Sequence, residues 1–322
     1  NTVLYTGNGT SQSITNVGFS PDVTWMKIRS AANVHIIANK VSGNGKWLST
    51  NNTWAETTSS DEFNTFDSDG FSIGNAASTN GSGYTYVSWN WKANGAGVSN
   101  TDGSTNSTVS ANTDAGFSIV SYTGSSGPDT IGHGLSKAPE MIIVKDRSSA
   151  QEWLVYHASN TAAPETDYLR LDTTAATADN TFWNDTAPTS SVFSVGDSRP
   201  VNSGHGDSYI AYCFHSVEGY SKVGSYQAAG PTATDPEDNF IWLGFRPAFI
   251  MIKISSTYAG NWVMLNSKGL GYNPDNNSVS ANLSDAESTA DYVDFYSNGF
   301  KVRTDNTNIN RAGQNYIFIA FA

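Results

Sequence analysis

Pro139-Glu140-Met141-Ile142-Ile143-Val144-Lys145 is the stretch on which the fold turns. A proline is followed six residues later by a lysine, across an apolar stretch that is continuous from Met141 to Val144. Such a run suits a central β-strand with both faces covered. The same figure recurs upstream as Pro21-Asp22-Val23-Thr24-Trp25-Met26-Lys27 and downstream as Pro247-Ala248-Phe249-Ile250-Met251-Ile252-Lys253. Its surroundings recur in the same order. Gly18-Phe19, Gly134-Leu135 and Gly244-Phe245 precede it, and Val34–Ile37, Trp153–Tyr156 and Trp262–Leu265 follow as a second apolar strand. A turn and short strand come next, at Asp69–Ile73, Val192–Val195 and Asn298–Val302. Each copy closes on an aromatic strand, at Tyr86–Trp91, Tyr209–Phe214 and Tyr316–Phe321. Four elements in one order, three times, define an internal repeat whose period is that of a domain, not of a solenoid.

The repeat divides the chain into units at 1–93, 114–220 and 221–322. Residues 94–113 are rich in Gly, Ser, Thr and Asn and read as a polar linker or, through Val98 and Val109, as an edge segment. Hydrophobic alternation has a period of two nearly everywhere, turn signals such as Asp69-Gly70 and Asn298-Gly299 fill the gaps, and no amphipathic stretch has helix length. The expected class is all-β: tandem antiparallel β-sandwich units, jelly-roll-like.

Composition narrows the function. The 322 residues carry 9 Trp, 15 Tyr and 15 Phe, yet only 14% are charged, with a formal net charge of -12. Rings in this number build real cores. An acidic, lysine-poor surface argues against nucleic acid and anionic membranes, and no apolar run is long enough to cross a bilayer as a helix. The opening Asn1-Thr2-Val3 has no initiator Met, as expected of a processed chain or a fragment. The single cysteine, Cys213, lies in an apolar strand and reads as a buried, inert thiol.

Several stretches resemble a repeat domain of uncharacterised tail-fibre and other virion structural proteins of marine bacteriophages. They are Phe117–Gly124, Thr130–Leu135, Pro139–Lys145, Phe182–Ser190, Val217–Ser225 and Gly244–Pro247. The resemblance reaches from Asn94 to Lys268, with the first unit as a diverged copy. It supplies no catalytic residues. It implies an extracellular virion protein (tail fibre, appendage or capsid surface) that contacts other virion proteins and adsorbs to a host surface polysaccharide. It also implies a homo-oligomer, with a trimer as the first expectation. Two alternatives stand beside it: a secreted carbohydrate-binding module or glycan-degrading enzyme, and a subunit of a bacterial surface filament.

No zinc-protease helix motif occurs, and a non-enzyme without a cofactor is expected. Gly132-His133-Gly134 and Gly204-His205-Gly206 read as tight loops. Calcium is the one metal with sequence support, through Asp67 and Asp69 and through Asp235, Glu237 and Asp238, although neither cluster has the spacing of an EF-hand loop. Glycan binding needs rings beside amides and carboxylates. The candidates are Trp54, then Trp183 with Asn184 and Asp185, then Tyr272 with Asn273. Trp25, Trp89, Trp91, Trp153 and Trp262 sit in strand patterns and are expected in cores or interfaces. Lys27, Lys145 and Lys253 end one strand in each unit, which suggests snorkelling at a sheet edge or pairing with an acid.

Overall fold

The computed structural model describes residues 1–204, 206–230, 239–269, 273 and 275–322. The protein is all-β, built of tandem antiparallel sandwich units; among the described residues helix is limited to single turns at Ala77–Asn80 and Thr181–Trp183. Each unit has one principal sheet with the same strand order, which we name opening, closing, lysine and return. In unit 1 these are Thr2–Thr6, Thr85–Trp91, Val23–Ile28 and Ile36–Asn39. In unit 2 they are Phe117–Thr123, Ser208–Phe214, Met141–Asp146 and Leu154–His157. In unit 3 they are Ser221–Gln227, Asn315–Phe321, Phe249–Ile254 and Val263–Asn266. The lysine strand is central in each sheet because its neighbours pair with it on both edges.

A second layer covers one face of each sheet. It contains Gln12–Ile14 with Gly70–Ile73, Asp129–Gly132 with Val192–Val195, and Phe240–Trp242 with Gly299–Val302. In unit 3, Asp275–Ser280 and Ser288–Tyr296 join the two layers into one eight-stranded, nearly closed sheet. Residues 94–113 contribute two strands, Val98–Asn100 and Ser107–Asn112, which extend the sheet of unit 2 beyond its opening strand.

Packing inside the units repeats in detail. Tyr5 stacks on Tyr86, Tyr122 on Tyr209 and Tyr226 on Tyr316, at 5.1, 5.1 and 5.2 Å between ring centres. Each first tyrosine also meets a phenylalanine edge-on: Phe71, Phe193 and Phe300. Each second tyrosine donates its hydroxyl to a loop carbonyl, of Ala77, Arg199 and Thr307. Buried hydroxyls need such partners, and the same solution appears three times.

The apolar runs are explained by burial on both faces. Alternate residues of the lysine strands serve two cores. Met26, Ile142, Val144, Ile250 and Ile252 enter the core of their own unit. Val23 and Trp25, Met141 and Ile143, and Phe249 and Met251 point the other way, into one core shared by all three units. Around that core the units form a closed ring, each touching both others. The lysine is the next residue on the shared-core side of each strand, so it ends the common core.

Candidate functional site

Polar contacts of one pattern recur at the seams between units. Lys27, Lys145 and Lys253 are fully buried. They lie neither at a sheet edge nor in a direct ion pair, contrary to the sequence expectation. Their ammonium groups donate to main-chain carbonyls of their own unit and of a neighbour. Lys27 of unit 1 reaches Ser284 of unit 3 at 3.1 Å. Lys145 of unit 2 reaches Thr53 of unit 1 at 3.0 Å, and also Asp146, Ser149 and Gln151. Lys253 of unit 3 reaches Thr174 of unit 2 at 3.1 Å and Gly260 in its own unit. The direction is cyclic, as in a heterologous ring that closes. Burial lowers Lys27 and Lys145 to about 8 and Lys253 to about 7.

A second bond crosses each seam in the same sense. Trp153 donates its indole N–H to Ser49 at 2.9 Å and Trp262 donates to Arg170 at 2.8 Å. In unit 1 the position belongs to His35, whose Nε2 lies 3.0 Å from the carbonyl of Ser280. A third pair flanks the first two. Arg29 clasps Glu287 and Arg147 clasps Glu56, each through two hydrogen bonds of 2.8 to 2.9 Å. In the remaining seam Ser255 stands where the arginine would be and Thr177 where the glutamate would be; Thr177 donates to the Ser255 carbonyl at 3.1 Å. An apolar cavity of about 30 Å³, with room for about one water, lies in the shared core among residues such as Trp25, Met141, Met251 and Phe321. A more open cleft of about 240 Å³ lies between units 1 and 3, lined by Trp91, Phe249 and Lys268 among others, with Tyr220 of unit 2 at its wall.

The glycan candidates separate. Trp54 is an exposed ring, 48% accessible, one residue beyond the carbonyl that holds Lys145. Trp183 is not a stacking platform: it is 1% accessible, packs edge-on against Tyr156 and donates its N–H to Asp167. The polar loop around it hid a core residue. Asn184 and Asp185 are exposed, both with positive φ, where the chain leaves the 3₁₀ turn. Asn273 is exposed but spends its amide on both main-chain groups of Phe295. Tyr272, Asp235, Glu237, Asp238 and His205 lie outside the described residues.

The remaining calcium pair is occupied by turn chemistry. Asp69 accepts from the backbone N–H of Asn16 and Gly18, one on each oxygen. Asp67 accepts from Thr65. Among the described residues no group of three acidic, histidine or cysteine side chains converges as a metal site. His133 is buried between the carbonyl of Thr189 and the N–H of Leu135, and burial lowers its pKa. Cys213 is a buried free thiol whose pKa burial raises. The five strand tryptophans line the cores and seams, with Trp91 packed edge-on against Phe249 and Phe321 of unit 3.

One surface escaped the sequence reading. Trp242, 60% accessible, and Tyr296, 40% accessible, stand on the outer face of unit 3. Both are register partners of Gly299. Phe240 lies beside them and meets Tyr296 edge-on at 5.7 Å. The ammonium of Lys222 donates to the Trp242 carbonyl at 2.8 Å and lies 4.7 Å from its ring centre. The alternation Phe240-Ile241-Trp242 was visible in the sequence; comparing it with Thr130-Ile131-Gly132 would have marked both rings as outward.

Fold and seams together define a class: an all-β protein of three like sandwich units closed into a ring within one chain. The chain belongs to the family described as "Domain of unknown function (DUF7483)", whose model matches residues 1–322 and therefore spans all three units. Neither the curated proteins nor the solved structures gave a match.

Proposed function

We propose that this protein is an exterior structural protein of a bacteriophage virion, a tail fibre, appendage or capsid-surface component, that also adheres to a host surface glycan. The carrying observation is the threefold cyclic seam, in which a buried lysine from each unit, beside an indole or the His35 imidazole, meets carbonyls of the adjoining unit. Such a ring is a rigid block, suited to bearing load and presenting loops rather than to opening and closing. The low charge and abundant neutral hydrogen-bonding groups suit an extracellular surface. The resemblance to virion repeat domains supports the same assignment. The chain acts by packing and adhesion, without catalysis or a resident metal.

The ring also supplies internally the threefold arrangement that a homotrimer would otherwise provide. We therefore take one chain as the assembling unit, with other virion proteins as its neighbours. The exposed rings of unit 3 favour one second reading, a secreted carbohydrate-binding module. Mass spectrometry of density-purified particles, with antibody labelling in electron microscopy, separates the two. Peptides of this chain in the particle and label on its exterior are expected. Recovery of the chain only from particle-free medium would overturn the virion assignment.

A further inference from the structure

We propose that Trp242, Tyr296 and Asn298, on the outer face of unit 3, form a carbohydrate-binding site that takes a neutral pyranose by stacking. The proposal rests on the adhesive part of the reading above and names where adhesion occurs.

Internal comparison carries the first step. The same second-layer frame is built three times: Ile14 pairs with Phe71, Ile131 with Phe193 and Ile241 with Phe300, all buried. The loop bond beside it also repeats, from the N–H of Val17, His133 and Leu243 to the carbonyl of Asp69, Ser191 and Asn298. The residues flanking the buried isoleucine do not repeat. They are Ser13 and Thr15 in unit 1, Thr130 and Gly132 in unit 2, and Phe240 and Trp242 in unit 3. Two units hold the frame together without rings at these positions, so the fold does not require them. Large exposed rings carry a solubility cost and point to a surface use.

Local geometry carries the second step. Trp242 and Tyr296 lie on strands either side of Gly299–Val302, about 10 Å apart at the backbone. Gly299 admits no side chain, since a Cβ would come 2.1 Å from the Ile241 carbonyl and 3.1 Å from the Phe240 ring. The rings therefore sit on a low floor edged by Phe240. Asn298 is exposed, and its main-chain carbonyl accepts from Leu243 and Gly244, which fixes its backbone next to the end of the strand that carries Trp242. Ser297 next to it is exposed as well. A pyranose has one face of polarised C–H groups and a rim of hydroxyls. The electron-rich indole face suits the former, and a neutral amide and hydroxyl suit the latter. The Lys222 bond steadies the strand that carries Trp242.

The test uses the intact chain on an array of bacterial surface glycans, with sedimentation velocity run in parallel. W242A and Y296A change exposed side chains, and Y84A is the control at an exposed ring of unit 1. The expected result is binding by the parent chain, at least tenfold weaker in W242A and Y296A and unchanged in Y84A. Parent-like binding by W242A and Y296A would overturn the site while leaving glycan adhesion intact. A parent chain that binds no glycan would overturn the adhesive reading and the site together. A self-associating parent that becomes monomeric in W242A would assign the face to a protein contact instead.

Discussion

Trp25 donates its indole N–H to Nδ1 of His35 at 2.9 Å, which makes Nδ1 the acceptor and leaves the His35 proton on Nε2, facing the Ser280 carbonyl. A protonated His35 would lose the Trp25 bond. Burial accordingly holds its pKa well below 6.5. His157, buried against the Phe318 carbonyl of unit 3, is lowered to about 4.

These two histidines predict acid sensitivity. Their folded pKa values are depressed, so their contribution is complete above the unfolded value near 6.5 and is lost as pH falls toward the folded values. His157 alone accounts for about 3 kcal/mol between pH 6.5 and 4. Denaturant midpoints should drop across that window. H157N should flatten the drop, since Asn39 and Asn266 hold the corresponding place in units 1 and 3. A pH-independent midpoint in the parent chain would contradict the neutral, buried assignment.

The lysines predict the opposite limb. Their folded pKa values lie below 10.5, so the unfolded chain binds more protons between about 7 and 10.5 and stability rises with pH there. The slope is at most about 1.4 kcal/mol per pH unit for each group. K145M strands the four carbonyls that Lys145 serves and should cost about 3 kcal/mol at neutral pH. Urea denaturation at several pH values measures both effects.

The Arg147–Glu56 clasp predicts strong coupling. Both side chains are largely buried, so E56T or R147S alone leaves one charge without its partner and should cost about 3 kcal/mol. The double variant reproduces the Thr177 and Ser255 pairing that serves another seam and should cost less than the sum. A double-mutant cycle on thermal stability decides; additive losses would remove the coupling.

The shared core predicts one unfolding event. Trp25, Ile143 and Met251 belong to a single cluster drawn from three units, so no unit completes its burial alone. Calorimetry should show a single transition, and residues 114–322 expressed without unit 1 should be markedly less stable. Three separate transitions would mean independent domains.

Much of this architecture was legible from residue order. The Pro-to-Lys run marked each central strand, and continuous apolar stretches such as Met141–Val144 suited cover on both faces. What covers the second face was not legible, because strand alternation separates faces without saying what packs on either. Trp183 misled for a related reason: a polar, turn-rich loop folded its ring inward, against Tyr156. Trp242 was passed over because a short run of consecutive apolar residues does not say which of them point into a core and which out to solvent.

By itself, then, the sequence determined the all-β class, the threefold repetition and the recurrence of Lys27, Lys145 and Lys253 at the end of one strand in each unit, since periodicity and turn chemistry are local properties written in residue order. Tertiary structure alone decided that those lysines are buried bolts, that the units close into a ring, and that Trp242 is exposed while Trp183 is not. Each of these depends on a neighbour far away in the chain, and a contact between distant residues exists only once the backbone has brought them together.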